Sequence, residues 1–113
     1  MLTMATIAIA FLAESRLSVT IEPYIVDTLM PDLVGHDRQP SAFLVYLFFW
    51  RRTIGSGAGT VTIALLDIAE GTGLSKRTVQ AAIDWLSHRK LIGISRAGAT
   101  SVPTYLVFRP WRR

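Results

Sequence analysis

The chain has 113 residues, half of them apolar, and it carries 12 basic against 8 acidic side chains for a net charge of +4. This length is typical of a single domain with one hydrophobic core. Because the chain contains no cysteine, disulfide bonds and zinc sites built on thiolates are excluded, and a cytoplasmic location is expected.

The charge is distributed unevenly along the chain. Residues 1–53 carry four basic and five acidic side chains, for a net charge of −1, whereas residues 54–113 carry eight basic and three acidic ones, for +5. A basic half of this kind favours a polyanionic partner, and nucleic acid is the usual one.

The first 40 residues are predicted to form an N-terminal extension that serves packing or dimerisation. Met1–Ala13 is apolar, but it lacks the basic start of a signal peptide and is shorter than the about 20 residues that span a bilayer, so no membrane partner is expected. Leu17–Ile21 is partly β-branched, which predicts a short strand. Glu22–Leu33 has helical apolar spacing; Pro23 suits its first turn, and Pro31 is expected to end or distort it.

A strongly apolar helix, Ala42–Trp50, is predicted next, with Ser41 as its cap. A helix that is apolar all round is expected to be buried all round, and one small core does not cover every side of it. The N-terminal segment or a second subunit is therefore expected to cover it, which favours a homodimer. The predicted interface residues are Phe43, Tyr46, Leu47, Phe49, Trp50 and Trp85.

The second half of the chain alternates between strand and helix patterns. A glycine-rich loop leads to a strand at Thr60–Ile63, and two helices follow at about Ala64–Gly71 and Ser75–Lys90. Strands at Leu91–Arg96 and Thr104–Arg109 flank a small polar loop, which predicts a β-hairpin. The predicted fold class is mainly α with a small β-hairpin, that is, α+β.

The stretch LLDIAEGTGLSKRTVQAA is the most informative part of the chain. Its two helices are joined by a tight turn, in which Ala69 permits close approach and Gly73 can adopt the left-handed backbone. Ser75 is suited to cap the second helix, whose first turn carries Lys76 and Arg77. This arrangement is typical of a helix-turn-helix, whose second helix enters the DNA major groove.

Residues 41–109 resemble the winged helix-turn-helix domain of bacterial and phage transcriptional regulators and replication initiators, and the segment DIAEGTGLSKRTVQAAIDWLSHRKLI carries the likeness. The resemblance assigns residues 41–113 to that domain and implies that its second helix reads DNA. It also implies that the hairpin loop, the wing, contacts the DNA backbone or minor groove. Three positions depart from the pattern: no capping residue stands near Ala64, Arg96 is the only cation of the wing, and Trp85 replaces a polar residue.

Several side chains are candidates for DNA contact. Lys76 and Arg77 oppose the dipole of their helix, and this cost favours an external anion such as a phosphate, or a guanine. Gln80 can bond an adenine and Thr78 a phosphate or thymine methyl, although a plain surface position suits both nearly as well. The predicted DNA-binding residues are Ser75, Lys76, Arg77, Thr78, Gln80, Arg96, Thr100 and Ser101.

Three further features leave alternatives open. The basic tail of Arg109, Arg112 and Arg113 with Trp111 is suited to lie along DNA or to form a frayed end. Trp85 is expected either to pack under the wing or to contact a partner. Asp84 and His88 have the spacing of a helical ion pair.

No catalytic constellation is predicted. His36 and His88 lack companions at metal-ligand or nucleophile spacing, and the glycine-rich loop lacks the G-K-[ST] ending of a phosphate-binding loop. We therefore expect no enzyme activity, cofactor, metal or small-molecule substrate.

The sequence predicts a protein that binds double-stranded DNA sequence-specifically, as a dimeric transcriptional regulator. A phage or plasmid replication or partition factor with the same fold is one alternative. A winged helix used only for protein–protein interaction is another, which the weakly basic wing and Trp85 favour and the pair Lys76 and Arg77 opposes.

Overall fold

The computed structural model describes residues 17–112, and their helices and strands form an α+β fold, as the sequence predicted. The apolar segment Met1–Ala13 lies outside the described residues. In chain order the elements are two short π-helices (Ile25–Leu29 and Pro31–His36), α1 (Pro40–Arg52), β1 (Thr60–Thr62), α2 (Leu65–Thr72), α3 (Lys76–His88), β2 (Ile92–Ser95) and β3 (Thr104–Val107).

The segment before α1 is helical for longer than the sequence indicated. Its backbone bonds span five residues: the Met30 N–H donates to the Ile25 carbonyl, and the Asp37 N–H donates to the Asp32 carbonyl at 2.8 Å. Pro31 has no N–H, and its ring crowds the carbonyl four residues earlier, so a widened helix accommodates it where a regular α-helix would break. The helix distorts as expected but does not end. The strand predicted at Leu17–Ile21 is wrong, because these residues pair with no other described strand.

The start of α1 differs from the predicted one. Gln39 precedes the helix and Pro40 occupies its first turn, so Ser41 lies inside the helix and is not its cap. Proline suits this place because its φ is already helical and its missing N–H would be unpaired there in any case. Thr53 caps the C-terminal end of the helix; its hydroxyl donates to the Phe49 carbonyl at 2.7 Å, and its side chain is fully buried.

The aromatic side chains of α1 are buried within a single chain. Phe43, Tyr46, Phe49 and Trp50 are 0–5% exposed, because the second π-helix, α2, α3, β1 and β3 all contact this helix. Part of this cover comes from the second π-helix, which belongs to the predicted N-terminal extension, so a second subunit is not needed to bury these rings. These four residues of the predicted dimer interface lie inside the protein, and only Leu47 among those of α1 is partly exposed.

The polar atoms of the buried aromatic rings find partners at the edges of the core. The Tyr46 hydroxyl donates to the Phe108 carbonyl at 3.0 Å, and the Trp50 Nε1 donates to the Thr20 carbonyl at 2.9 Å. Neither ring therefore buries an unsatisfied polar atom. A buried polar atom without a hydrogen-bond partner would cost about 1–3 kcal/mol of stability.

The three strands form one antiparallel sheet in the order β1-β3-β2. The pairing of β2 with β3 confirms the predicted hairpin, and β1 adds to the outer side of β3. Tyr105 and Val107 of β3 face the core, where the Tyr105 ring stacks on Phe49 with centroids 4.6 Å apart. On the opposite face the hydroxyls of Thr62 and Thr104 lie 2.6 Å apart.

The turn between α2 and α3 has the predicted local structure. Gly73 has φ +78°, and its N–H donates to the Ala69 carbonyl at 2.9 Å. The Ser75 hydroxyl then accepts the Thr78 N–H at 3.1 Å, which confirms Ser75 as the cap of α3. Ala64 occupies the N-cap position before α2 and provides no side-chain cap.

We expect Gly73→Ala to destabilise the protein by about 1–2 kcal/mol, because a Cβ is disfavoured in the left-handed conformation. Gly35→Ala is the matched control: an added Cβ meets no atom within 4 Å at either position, but only Gly73 has a positive φ. The control should be neutral or slightly stabilising. Urea unfolding followed by tryptophan fluorescence measures both, and equal effects would show that the turn does not depend on this backbone conformation.

Candidate nucleic-acid interface

The N-terminal end of α3 presents the two cations that the sequence singled out. Lys76 and Arg77 are exposed, and neither forms an ion pair with another residue among 17–112. Their neighbours Ser75 and Thr78 are occupied by the cap, since the Ser75 hydroxyl also donates to the Thr78 Oγ1 at 2.9 Å. Of these four side chains, only the two cations have no hydrogen bond or ion pair to another described residue, and the Thr78 hydroxyl still has its own O–H to donate.

Gln80 lies one turn further along α3, and its amide is already engaged. Its Nε2 donates to the Asp84 Oδ1 at 2.9 Å. A bidentate contact to adenine uses the amide nitrogen and oxygen together, and this bond leaves Gln80 one N–H and the oxygen for such a contact. The expected pair between Asp84 and His88 is wrong, because no such contact exists and Gln80 is the partner of Asp84.

The β2–β3 loop carries the predicted wing residues. Arg96 and Thr100 are exposed, whereas Ser101 is partly buried and its N–H closes a turn on the Gly98 carbonyl at 3.1 Å. Burial raises the pKa of the Tyr105 hydroxyl, and the nearby positive charge of Arg96 partly opposes that rise. Arg96 directly follows the last residue of β2 and therefore lies at the base of the loop.

The C-terminal basic tail is held by a carboxylate and is not frayed over its described residues. The Arg109 Nη1 donates to Glu22 at 2.8 Å, and the Trp111 Nε1 donates to the other Glu22 oxygen at 2.8 Å. The Trp111 hydrogen bond lowers the pKa of Glu22 against a smaller opposing effect of burial, and Arg109 and Arg112 lower it further. Arg109 and Arg112 of the predicted tail thus form ion pairs with Glu22 within the domain. Arg113 lies outside the described residues.

A second carboxylate cluster holds the C-terminal end of α3, and sequence reasoning missed it. Arg89 donates to Asp37 and, at 2.6 Å, to Asp32, while the Trp85 Nε1 donates to Asp37 at 2.9 Å. Trp85 therefore packs against the segment before α1, and neither the wing nor a second subunit is needed to explain it. We call Asp32, Asp37, Trp85 and Arg89 the α3 clamp.

The two aspartates of the clamp and the neighbouring His36 are the described residues best suited to hold a metal ion. Asp32, His36 and Asp37 each offer a ligand atom, and these atoms lie within 4.8 Å of one another. The spacing of four and five residues on one helical segment was the available signal. Arg89 already binds an oxygen of each aspartate, so its guanidinium supplies the positive charge and a metal would lie against it. The cluster is better explained as an ion pair.

Within residues 17–112, no helix is long and apolar enough to cross a bilayer. Comparison of the chain with protein-family models, curated proteins and solved structures finds no match.

We expect Asp37→Ala to lower the free energy of unfolding by about 1–3 kcal/mol at neutral pH, because Arg89 and Trp85 lose an acceptor. Asp27→Ala is the control, since Asp27 is an exposed aspartate on the same helical segment without an ion pair to any described residue. Urea unfolding measures both variants.

The effect of Asp37→Ala should depend on pH. Burial opposes ionisation of Asp37, but the hydrogen bonds from Trp85 and His36 and the charge of Arg89 outweigh it and lower the pKa. A lowered pKa in the folded state gives stability that is complete above the ordinary aspartate pKa, about 3.9, and is lost as the pH falls through the folded value. The difference between wild type and variant should therefore shrink below about pH 4; a difference that grows there contradicts the clamp.

Proposed function

We propose that this protein binds double-stranded DNA sequence-specifically through α3, as a small winged helix-turn-helix transcriptional regulator. The observation that carries the proposal is the exposed pair Lys76 and Arg77 in the first turn of α3. The helix dipole disfavours cations there, and no described residue neutralises them. A phosphate or a guanine would supply the missing acceptors.

The order of elements supports the same proposal. A helix, a short strand, two helices joined by a tight turn and a hairpin follow one another, and the first strand joins the hairpin in the order β1-β3-β2. This is the arrangement expected of a winged helix, in which α3 would be the recognition helix and the β2–β3 loop the wing.

The C-terminal end of α3 would anchor the helix to the domain, and its N-terminal end would contact DNA. A helix of 13 residues is about 20 Å long, so the α3 clamp acts at one end while Lys76 and Arg77 lie at the other. The clamp leaves the N-terminal end free to enter a major groove about 12 Å wide. Arg77 is suited to guanine and Lys76 to phosphate, and Arg96 of the wing would add a backbone contact. Occupation of the operator would then block or recruit the transcription machinery.

The second candidate is a protein-binding module of the same fold. It is favoured by the wing, where Arg96 is the only cation between β2 and β3. The experiment below separates the two candidates, because a protein-binding module would not require Lys76 and Arg77 for affinity to DNA.

The test compares two double variants with the same net charge. Lys76→Gln with Arg77→Gln removes the pair on α3, and Arg51→Gln with Lys90→Gln removes two exposed cations elsewhere; each lowers the net charge from +4 to +2. Binding is measured by fluorescence anisotropy on duplexes selected from genomic fragments. We expect the α3 variant to lose about 1–3 kcal/mol per base-reading contact, which is about a 5- to 150-fold loss of affinity, while the control stays close to wild type.

Salt dependence provides the second readout. If about four to six phosphates are neutralised, log K should fall against log salt with a slope of about −4 to −5. A slope near zero, or equal loss of affinity in the two double variants, would exclude α3 as a DNA-reading helix.

A further inference from the structure

The helical segment before α1 leaves a row of apolar side chains in water. Val26, Met30 and Val34 are 43%, 36% and 39% exposed, at a spacing of four residues. The adjacent row, Ile25, Leu29 and Leu33, is 0–3% exposed and packs into the core. We call Val26, Met30 and Val34 the outer stripe.

The outer stripe lies on the side of this segment that faces away from α3. Each stripe residue directly follows a buried one, whereas Asp32, which binds Arg89 of α3, directly precedes the buried Leu33. On a helix, the residue before a buried position and the residue after it are rotated about the axis in opposite directions, so their side chains lie on opposite flanks of the buried row. Contact along the stripe would therefore leave the α3 clamp intact and Lys76 and Arg77 accessible.

Charges at the two ends of the stripe indicate what covers it. Asp27 lies beside its first residue and Arg38 beyond its last, and both are exposed without an ion pair to any described residue. When a second copy lies antiparallel along the stripe, the acidic end of each copy faces the basic end of the other. Val26 of each copy then approaches Val34 of the other, and Met30 lies near the two-fold axis.

We propose that the outer stripe is the homodimer interface of this protein, with a second copy of the chain as its occupant. Three side chains form a small apolar patch, so the association is weak and depends on concentration, as small interfaces are. The proposal replaces the aromatic residues of α1 as the contact surface, and it stands independently of DNA binding.

Single-cysteine cross-linking tests the interface, because the chain has no native cysteine. A disulfide requires Cβ atoms about 3.5–4.5 Å apart, a distance that residues near a two-fold axis can reach. Met30→Cys should form a covalent dimer under mild oxidation. Leu44→Cys is the matched control, because Leu44 is also an exposed apolar residue, 48% exposed, but lies on α1; it should remain monomeric. Equal cross-linking of both variants would show random collision and overturn the proposal.

Analytical ultracentrifugation over a concentration series provides the second measurement. Met30→Glu places two like charges together at the axis and should abolish the dimer, whereas Leu44→Glu should associate as wild type does. A wild-type monomer throughout the series overturns the proposal. If Met30→Cys also reacts slowly with a thiol reagent in that monomer while Leu44→Cys reacts quickly, another segment of the same chain covers the stripe.

DNA binding distinguishes failure of this proposal from failure of the function. Met30→Glu should still bind a single half-site with wild-type affinity, since Lys76 and Arg77 are unchanged. Failure to cross-link with DNA affinity intact refutes the interface alone, whereas DNA affinity that survives the Lys76 and Arg77 double substitution refutes the proposed function alone.

Discussion

The burial of α1 is the constraint on which the rest of this structure depends. Elements that precede α1 and elements that follow it in the sequence pack on its aromatic side chains. Each of them contacts α1 through its own buried or partly buried apolar residues. A fully buried aromatic side chain removes 150–250 Å² from water, so this helix supplies a large part of the apolar burial of a small domain. Packing on α1 fixes the orientations of α3 and of the sheet. It therefore also determines which of their faces are exposed to solvent.

The polar contacts at the edge of this core decide which charges remain available. Two carboxylate clusters, one at Glu22 and one at Asp37, bind cations that come from the other end of the chain. Of the eight basic residues that make the second half of the sequence positive, Arg89, Arg109 and Arg112 are neutralised by acids of the first half. The charge asymmetry of the sequence therefore overstated the charge that a polyanion would meet, and it pointed to more residues than the folded surface offers.

Local signals were the reliable ones. Gly73 and Ser75 predicted the turn and cap between α2 and α3 because their backbone preferences and hydrogen bonds involve only neighbouring residues. Contacts between distant residues could not be predicted in this way: Asp37 and Trp85 are 48 positions apart, and neither residue type specifies the other. The continuation of the helix past Pro31 was missed for another reason. The sequence shows that Pro31 cannot donate the backbone hydrogen bond of an α-helix, but it does not show that a wider π-helix forms instead.

The number of apolar residues in a helix does not determine how many of them are exposed. Comparison of α1 with the helical segment before it shows this. The segment with the greater apolar content, α1, has neighbours on several sides and is covered within one chain. The segment before it is less apolar, but it packs at the edge of the domain, so only one of its two apolar rows reaches the core. Hydrophobicity alone pointed to aromatic residues that the chain buries itself, because burial depends on how many elements surround a helix. A partner surface is therefore to be sought at the periphery, where the outer stripe is an apolar row that the described part of the chain leaves in water.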